Sequence, residues 1–362
     1  MSRGCPLTFY TLNCMFMHSM RYRAAVVGAS GYAGGEVVRL LDEHPDFEVA
    51  YLGAHSQAGS SLSSVHPHLS GGSRPFGVNE VGSIPDVDVA FLGLPHGASA
   101  SVGSALAEKG TKVVDLGSDF RMDSAARYLE AYGVPHPDAE ALTDWVYGLP
   151  ELFRRDIIGA GLVASPGCYP TASLLALGPL VSGGFIDPTA ITINAVSGVS
   201  GAGRSLHEDL LYGAVSEGVR AYGVTTHRHR PEIEMGVEML VGGVSRITFT
   251  PHLVPMQRGI LATVTAVVGE GTTEDDLRGA MHSAYENEPF VDVIDRPPQT
   301  RWVVGSNKAL IAAFIDERTR TAVVLSAIDN LLKGAAGQAV QAANLMFGLE
   351  ETSGLPLSGW MP

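Results

Sequence analysis

"RAAVVGASGYAGGEVVRLLDEHP", residues 23–45, decides the fold. Ala24 to Val27 are an apolar run of the kind that fills a buried strand. Gly28, Gly31 and Gly34 follow, spaced G-x-x-G-x-x-G. Val37, Leu40 and Leu41 then recur at helical spacing. Strand, glycine turn and helix in that order open a βαβ unit. Small residues at such a turn let a pyrophosphate approach N–H groups at a helix N-terminus. Gly28, Ser30, Gly31, Tyr32, Ala33 and Gly34 are therefore candidate dinucleotide-binding residues. The spacing is not the usual G-x-G-x-x-G, so the position of the turn carries this reading against that of a plain strand–helix turn.

The alternation continues outward. "FEVAYLGAH" (47–55), "VDVAFLGLPHG" (87–97), "KVVDLGSDF" (112–120) and "GLVASPGC" (161–168) read as further strands. "SASVGSALAEKG" (99–110) reads as a helix closed by Gly110. Strands alternating with helices predict an α/β domain with a Rossmann-type, doubly wound parallel sheet. The end of the second strand bears on the cofactor. A carboxylate there would hold a ribose 2′-hydroxyl and repel a 2′-phosphate. "LGAHSQAG" (52–59) has no acid, and His55 and Ser56 offer hydrogen bonds instead. NADP (as NADPH) is expected rather than NAD, with Ser56 at its phosphate.

After a helix at 171–181 the texture changes. "TAITINAVSG" (189–198), "SRITFTPHLVP" (245–255), "GILATVTAVVG" (259–269) and "TAVVLSAIDN" (321–330) are β-rich. They predict a second α+β domain with a mixed or antiparallel sheet. "TTEDDLRGAMHSAYENEP" (272–289) reads as a helix capped by Thr273. "NLLKGAAGQAVQAANLMFGL" (330–349) reads as a closing helix with Asn330 as N-cap, packing back on the first domain. The expected division is a first domain over 21–167 completed by 330–362, and a second over 168–329. Residues 1–20, "MSRGCPLTFYTLNCMFMHSM", are expected to be a disordered extension, with Met20 as an alternative start. Arg3 and the apolar residues after it faintly resemble a signal peptide, but Pro6, Asn13 and His18 interrupt it.

Composition sets limits. With 362 residues the chain has room for two domains. Its net charge is −14 without a basic block, so nucleic-acid binding is not expected. No uncharged apolar run is long enough for a membrane span. Cys5, Cys14 and Cys168 are too few and too scattered for a disulfide framework or a metal cluster, and a reducing compartment fits.

"VASPGCYPTASLL" (163–175) places Cys168 between a strand and a helix. A helix N-terminus lowers a thiol pKa, and a thiolate attacks carbonyl or acyl carbon. A buried structural cysteine is the competing reading. A nucleophilic cysteine needs a base, and "VTTHRHRPEIE" (224–234) supplies His227, Arg228, His229 and Arg230 before a helix opened by Pro231. Alternation would put His227 and His229 on one face of an extended segment. Spacing does not rank them, and His96 of "LPHG" is the next candidate. Arg121 and Arg258 lie in loops beside strands and suit a carboxylate or phosphate. "SGVSGAGR" (197–204) reads as an amide nest or a flap.

"GASGYAGGE", "LPHG", "DLGSDFR", "YGLPE", "SPGCYPTA", "SGVSGAGR", "HRHRPEI", "PMQRGI" and "DNLLKGAAGQA" occur in that order between residues 28 and 339. Together they resemble the N-acetyl-γ-glutamyl-phosphate reductases. Aspartate-semialdehyde dehydrogenases share the architecture but typically have Asn where Gly167 stands, and glyceraldehyde-phosphate dehydrogenases have Ser. The resemblance implies NADPH-dependent reduction of an acyl phosphate to a semialdehyde and phosphate, in the cytoplasm, by a homodimer or homotetramer whose second domain is also the oligomerisation unit. It implies Cys168 as nucleophile and His229 as its acid–base partner. Arg121, His227, Gln257 and Arg258 would hold substrate, and Asn330 would join the cofactor site. A reductase of α-aminoadipyl phosphate in lysine synthesis, or an NADP-binding redox sensor needing no His229, are the alternatives.

Overall fold

The computed structural model describes residues 21–361. The expectations for residues 1–20, with Cys5 and Cys14, lie outside the described residues. Seven strands form the first sheet: β1 (Tyr22–Val27), β2 (Phe47–Ala54), β3 (Gly77–Val78), β4 (Val89–Leu92), β5 (Lys112–Asp115), β6 (Val146–Tyr147) and β7 (Leu162–Ala164). Their order is β3-β2-β1-β4-β5-β7-β6, and every pairing is parallel. The order reverses between β1 and β4, the crevice where doubly wound sheets bind ligands. Both faces are buried, which is why β1 and β4 read as unbroken apolar runs. One face packs against the Tyr32–Asp42 helix and the C-terminal Gly337–Met346 helix, through Val37, Leu40, Leu41, Val340 and Ala343. The other packs against the Ser99–Glu108 helix through Ala100 and Leu106.

The second sheet holds β8 (Ile186–Ser197), β9 (Arg220–Ala221), β10 (Ile247–Leu253), β11 (Ile260–Val268), β12 (Val291–Val293), β13 (Ala309–Asp316) and β14 (Thr321–Ile328). Their order is β12-β13-β14-β11-β8-β10-β9. It is mixed: β8–β10 and β12–β13 are parallel, while β8–β11, β11–β14, β13–β14 and β9–β10 are antiparallel. The Cys168–Ser182 helix lies on this sheet and is apolar all round, as a wholly buried helix must be. Leu174, Leu175, Leu177 and Leu180 are each fully buried, worth about 1.5–3 kcal/mol apiece relative to exposure. Thr273 caps the Glu274–Tyr285 helix in a reciprocal capping box with Asp276.

The closing helix corrects one expectation. Asn330 is not its N-cap. Asp329 accepts the N–H groups of Leu331 and Leu332 at 2.8 and 3.2 Å, and that of Gly305 at 2.8 Å. The first turn, Leu332–Ala336, is a π-turn. It carries Lys333, fully buried, onto Glu151 at 2.6 Å. Gln341 accepts from Lys333 at 2.8 Å and donates to Glu151 Oε1 at 2.8 Å, while Glu151 Oε2 is left without a hydrogen-bond partner. Nearby, Arg154 bridges Glu288 and Glu351. This network ties the Pro150–Ile157 helix to the C-terminal segment. Breaking a buried pair on one side strands a charge. Lys333→Met should lower stability by about 3–5 kcal/mol in a urea titration. The double change Lys333→Met with Glu151→Gln should recover most of it. Equal loss in the single and double variants would show that packing, not charge, makes this contact.

Candidate active site

The site grows from two helix N-termini. Strand β7 ends at Ala164, and Ser165 donates its N–H to the Asp115 carbonyl at 2.8 Å. Gly167 is the N-cap, and Cys168 is the first helical residue, not the residue before the helix. No side chain caps this end. The second helix, His229–Val241, begins at His229, two residues before Pro231. The two helices cross closely where a Cβ on Gly236 would lie 2.5 Å from Leu174 Cδ1. The crossing brings their starts together: His229 Nε2 lies against the Gly167 α-carbon, where an added Cβ would be 2.6 Å away. On another side Cys168 meets the C-terminal turn, where a Cβ on Gly334 would stand 2.8 Å from Cys168 Cβ.

Glu232, fully buried one turn into the second helix, locks this arrangement. Its Oε1 accepts the Gly167 N–H at 2.8 Å and the Tyr147 hydroxyl at 3.0 Å. Its Oε2 lies 3.5 Å from an Arg121 guanidinium nitrogen. Arg121 is fixed further by donating to the carbonyls of Ser165 and Leu116, each at 2.9 Å. One guanidinium nitrogen stays beside Gly167.

The histidine segment is not extended, because Thr225 takes a left-handed conformation with φ 61° and a turn follows. The two rings still meet, their centroids 4.8 Å apart. His227 Nδ1 accepts the His229 N–H at 3.1 Å. Its remaining ring nitrogen, Nε2, then carries the proton in the neutral ring. Burial, helped by the neighbouring cation Arg228, pushes the His227 pKa down to about 4. Burial, then the charges of His227, Arg121 and Arg228, pushes His229 well below the ordinary imidazole range. Both rings are neutral at pH 7.

At the thiol, burial works against the helix terminus. Burial pushes Cys168 up to about 11, against the opposing pull of Arg121 and the Tyr169 N–H. Desolvation outweighs the helix terminus, so the resting group is a thiol although the residue opens on a cavity. That cavity, of about 670 Å³, is lined by Cys168, Tyr169, Tyr222, His227, Arg228 and His229, with Gly201 and Ala202 opposite. The Tyr169 and Tyr222 hydroxyls pair at 3.0 Å.

The arginines are redistributed. Arg121 stands behind Gly167 rather than in the cavity wall. Arg258 is taken up by Glu36 at 2.5 Å and lies 3.6 Å from Asp329, tying the domains together. The exposed Gln257 gives its carbonyl to the Ser200 N–H at 3.1 Å. Asn330 accepts from the Gly259 N–H at 2.8 Å and donates to Ser200 Oγ at 3.0 Å. In the cavity wall stand Arg220, paired with Asp209 at 3.0 Å, and Arg228, which has no hydrogen bond or ion pair among the described residues. His96 bonds Ser118 at 2.9 Å and stacks on Tyr132, outside the cavity wall.

The glycine turn sits at the switch between β1 and β4. Gly28 has φ 83°, and a Cβ there would lie 2.4 Å from the Gly93 carbonyl oxygen. A Cβ on Gly34 would lie 2.4 Å from the Gly28 carbonyl oxygen. The Tyr32–Asp42 helix has no side-chain cap and no acid in its first turn. A helix start of this kind suits an anion, and Gly31, Tyr32 and Ala33 form it, while Ser56 is exposed beyond the end of β2. These residues fit a phosphate-bearing dinucleotide.

Glu232, Gly334, Tyr169, Tyr222 and Arg220 escaped the sequence reading. The "PEIE" pattern gave one signal, a carboxylate one turn after the paired histidines. The others carry none, because their roles arise only where distant segments meet.

Residues 23–160 match the semialdehyde dehydrogenase NAD binding domain, and residues 168–330 its dimerisation domain. An N-acetyl-γ-glutamyl-phosphate reductase of Heliobacterium modesticaldum is 47% identical over 349 residues, covering 94% of this chain and 99% of that protein. One from Synechocystis is 45% identical, covering 96% and 100%. Among solved structures, aspartate semialdehyde dehydrogenase II from Vibrio cholerae matches with a TM-score of 0.69 at 19% identity, over 91% of this chain and 99% of that one. The structural likeness shows the shared fold, and the sequence relatives show the narrower kinship. The chain belongs to the N-acetyl-γ-glutamyl-phosphate reductase family of the semialdehyde dehydrogenases.

Proposed function

We propose that this chain reduces N-acetyl-γ-glutamyl phosphate to N-acetyl-glutamate 5-semialdehyde and phosphate with NADPH, a step of arginine biosynthesis in the cytoplasm. The observation that carries the reading is the meeting of Cys168 and a neutral His229 at two helix starts, beside the unpaired Arg228. Residues 21–167 with 330–362 form the cofactor domain. Residues 168–329 form the catalytic domain and the contact of a homodimer or homotetramer.

Arg228 holds an anionic end of the substrate, and Arg121, itself engaged by Glu232 and two carbonyls, adds positive potential from behind Gly167. Cys168 Sγ attacks the acyl carbon while His229 Nε2 takes the thiol proton, a concerted route that suits a thiol not ionised at rest. Phosphate leaves with the bonding electrons and takes one proton from solvent, and the acyl group stays on Sγ as a thioester. NADPH, when bound along Gly28–Gly34, supplies hydride to the thioester carbon. The His229 imidazolium gives its proton to the resulting oxyanion. As the thiohemiacetal collapses, His229 takes that proton back and returns it to Sγ. His227, with Nδ1 engaged, presents its Nε2–H to the substrate. Gln257, Arg258 and Asn330 shape the wall through the loops they brace.

Run in reverse, N-acetyl-glutamate semialdehyde, phosphate and NADP should raise absorbance at 340 nm, with NADP preferred over NAD. Ser56→Asp should narrow that preference by repelling the 2′-phosphate. Faster turnover of the longer aminoadipate semialdehyde would reassign the substrate. Cofactor binding without turnover of either would favour the redox sensor. Within the site, His229→Asn should cut turnover by about 10²- to 10⁴-fold. His227→Asn should chiefly raise the KM. The opposite pattern would reverse the two roles.

A further inference from the structure

The loop "SGVSGAGR" (197–204) does more than line the cavity. Its first half is pinned inside the second domain. Gly198, Val199 and Ser200 donate N–H groups to the carbonyls of Gly259, Met256 and Gln257 at 3.0, 2.9 and 3.1 Å. Gly201 and Ala202 then face the cavity that holds Cys168. Gly203 turns the chain with φ 82°, and Arg204 leaves the domain altogether. Its guanidinium donates to the Ser30 carbonyl at 3.0 Å and the Val65 carbonyl at 3.2 Å.

Ser30 belongs to the glycine turn, and Val65 closes the short Leu62–Val65 helix that follows β2. Arg204 thus bridges the two segments of the first domain that frame the dinucleotide. Among the described residues it has no carboxylate partner. The exposed Arg204 side chain reaches the carbonyl of Ser30, the residue before the N-cap Gly31 of the Tyr32–Asp42 helix, and near a helix start an anion is favoured over a cation. The first domain offers no basic side chain of its own at the end of β2, since "LGAHSQAG" contains only His55. A phosphate between the helix end and the guanidinium would satisfy both with charge-assisted bonds stronger than those to the two carbonyls.

We infer that Arg204 is a ligand of the cofactor's phosphates, supplied by the second domain. Through Gly201 and Ala202 it links cofactor occupancy to the shape of the cavity at Cys168. This rests on the NADPH reading above and extends it to a residue outside the dinucleotide domain.

The test is binding and hydrogen exchange, not turnover. Losing a charged hydrogen-bond donor should raise the Kd for NADPH in Arg204→Ala about tenfold or more by calorimetry. A parallel loss for NADH places the contact at the pyrophosphate; an unchanged NADH affinity places it at the 2′-phosphate. In wild type, saturating NADP should slow amide exchange over residues 201–210. In Arg204→Ala, saturated with NADP, that slowing should be absent. An NADPH affinity within twofold of wild type would overturn the inference, as would full slowing of exchange in the variant. Failure of the wild type itself to bind NADPH would instead overturn the functional reading beneath it.

Discussion

One hydrogen bond organises this molecule: the Gly167 N–H donated to Glu232 Oε1 at 2.8 Å. It joins the residue before Cys168 to the helix that begins with His229. The same carboxylate oxygen accepts from Tyr147 and the other faces Arg121, so three segments of the first domain converge on one helix of the second. A free carboxylate buried this deeply would be costly, and only these partners make it tolerable. The position of His229 relative to Cys168 is therefore set by a polar clamp as well as by the Gly236–Leu174 crossing. Gly167 itself has to be small, because His229 and Arg121 both occupy the space a side chain would take.

The clamp has an electrostatic consequence. Packing the two helix starts together removes water from both reacting groups. Burial raises the thiol and lowers the imidazole, and the nearby arginines depress the imidazole further. Both shifts favour a neutral pair over a preformed thiolate–imidazolium pair. On the proposed mechanism, proton transfer coincides with attack, which suits a thiol that burial keeps protonated. The arginines pull on the thiol in the opposite sense, so the charge that weakens the base also favours the developing thiolate.

The architecture was legible because it is written in local patterns. The β1–turn–helix run, the parallel alternation after it and the β-rich second half all appear as periodicity. The strand Ala309–Asp316 and the helices Ala125–Tyr132 and Pro150–Ile157 were not read, since their signals are short or masked by glycine and proline nearby. At the site, Cys168 and the paired histidines were visible as motifs. Arg258 reads in sequence as a free cation, because nothing local shows that Glu36, 222 residues away, pairs with it. Asn330 suits a cap in sequence, and only the fold shows that Gly259 and Ser200 hold it while Asp329 accepts the helix N–H groups. The helix terminus beside the thiol is visible in sequence, whereas the depth of burial that opposes it is not.

The central claim is that Cys168 carries the acyl group between the two half-reactions. The most direct measurement mixes the protein with N-acetyl-γ-glutamyl phosphate in the absence of NADPH and follows phosphate release and intact mass. The account predicts a burst of phosphate and a matching mass gain of one N-acetyl-glutamyl group, localised to the peptide containing Cys168 and removed by hydroxylamine. Neither burst nor adduct without NADPH, in a protein that turns over when NADPH is added, would contradict it and require direct hydride transfer to the acyl phosphate.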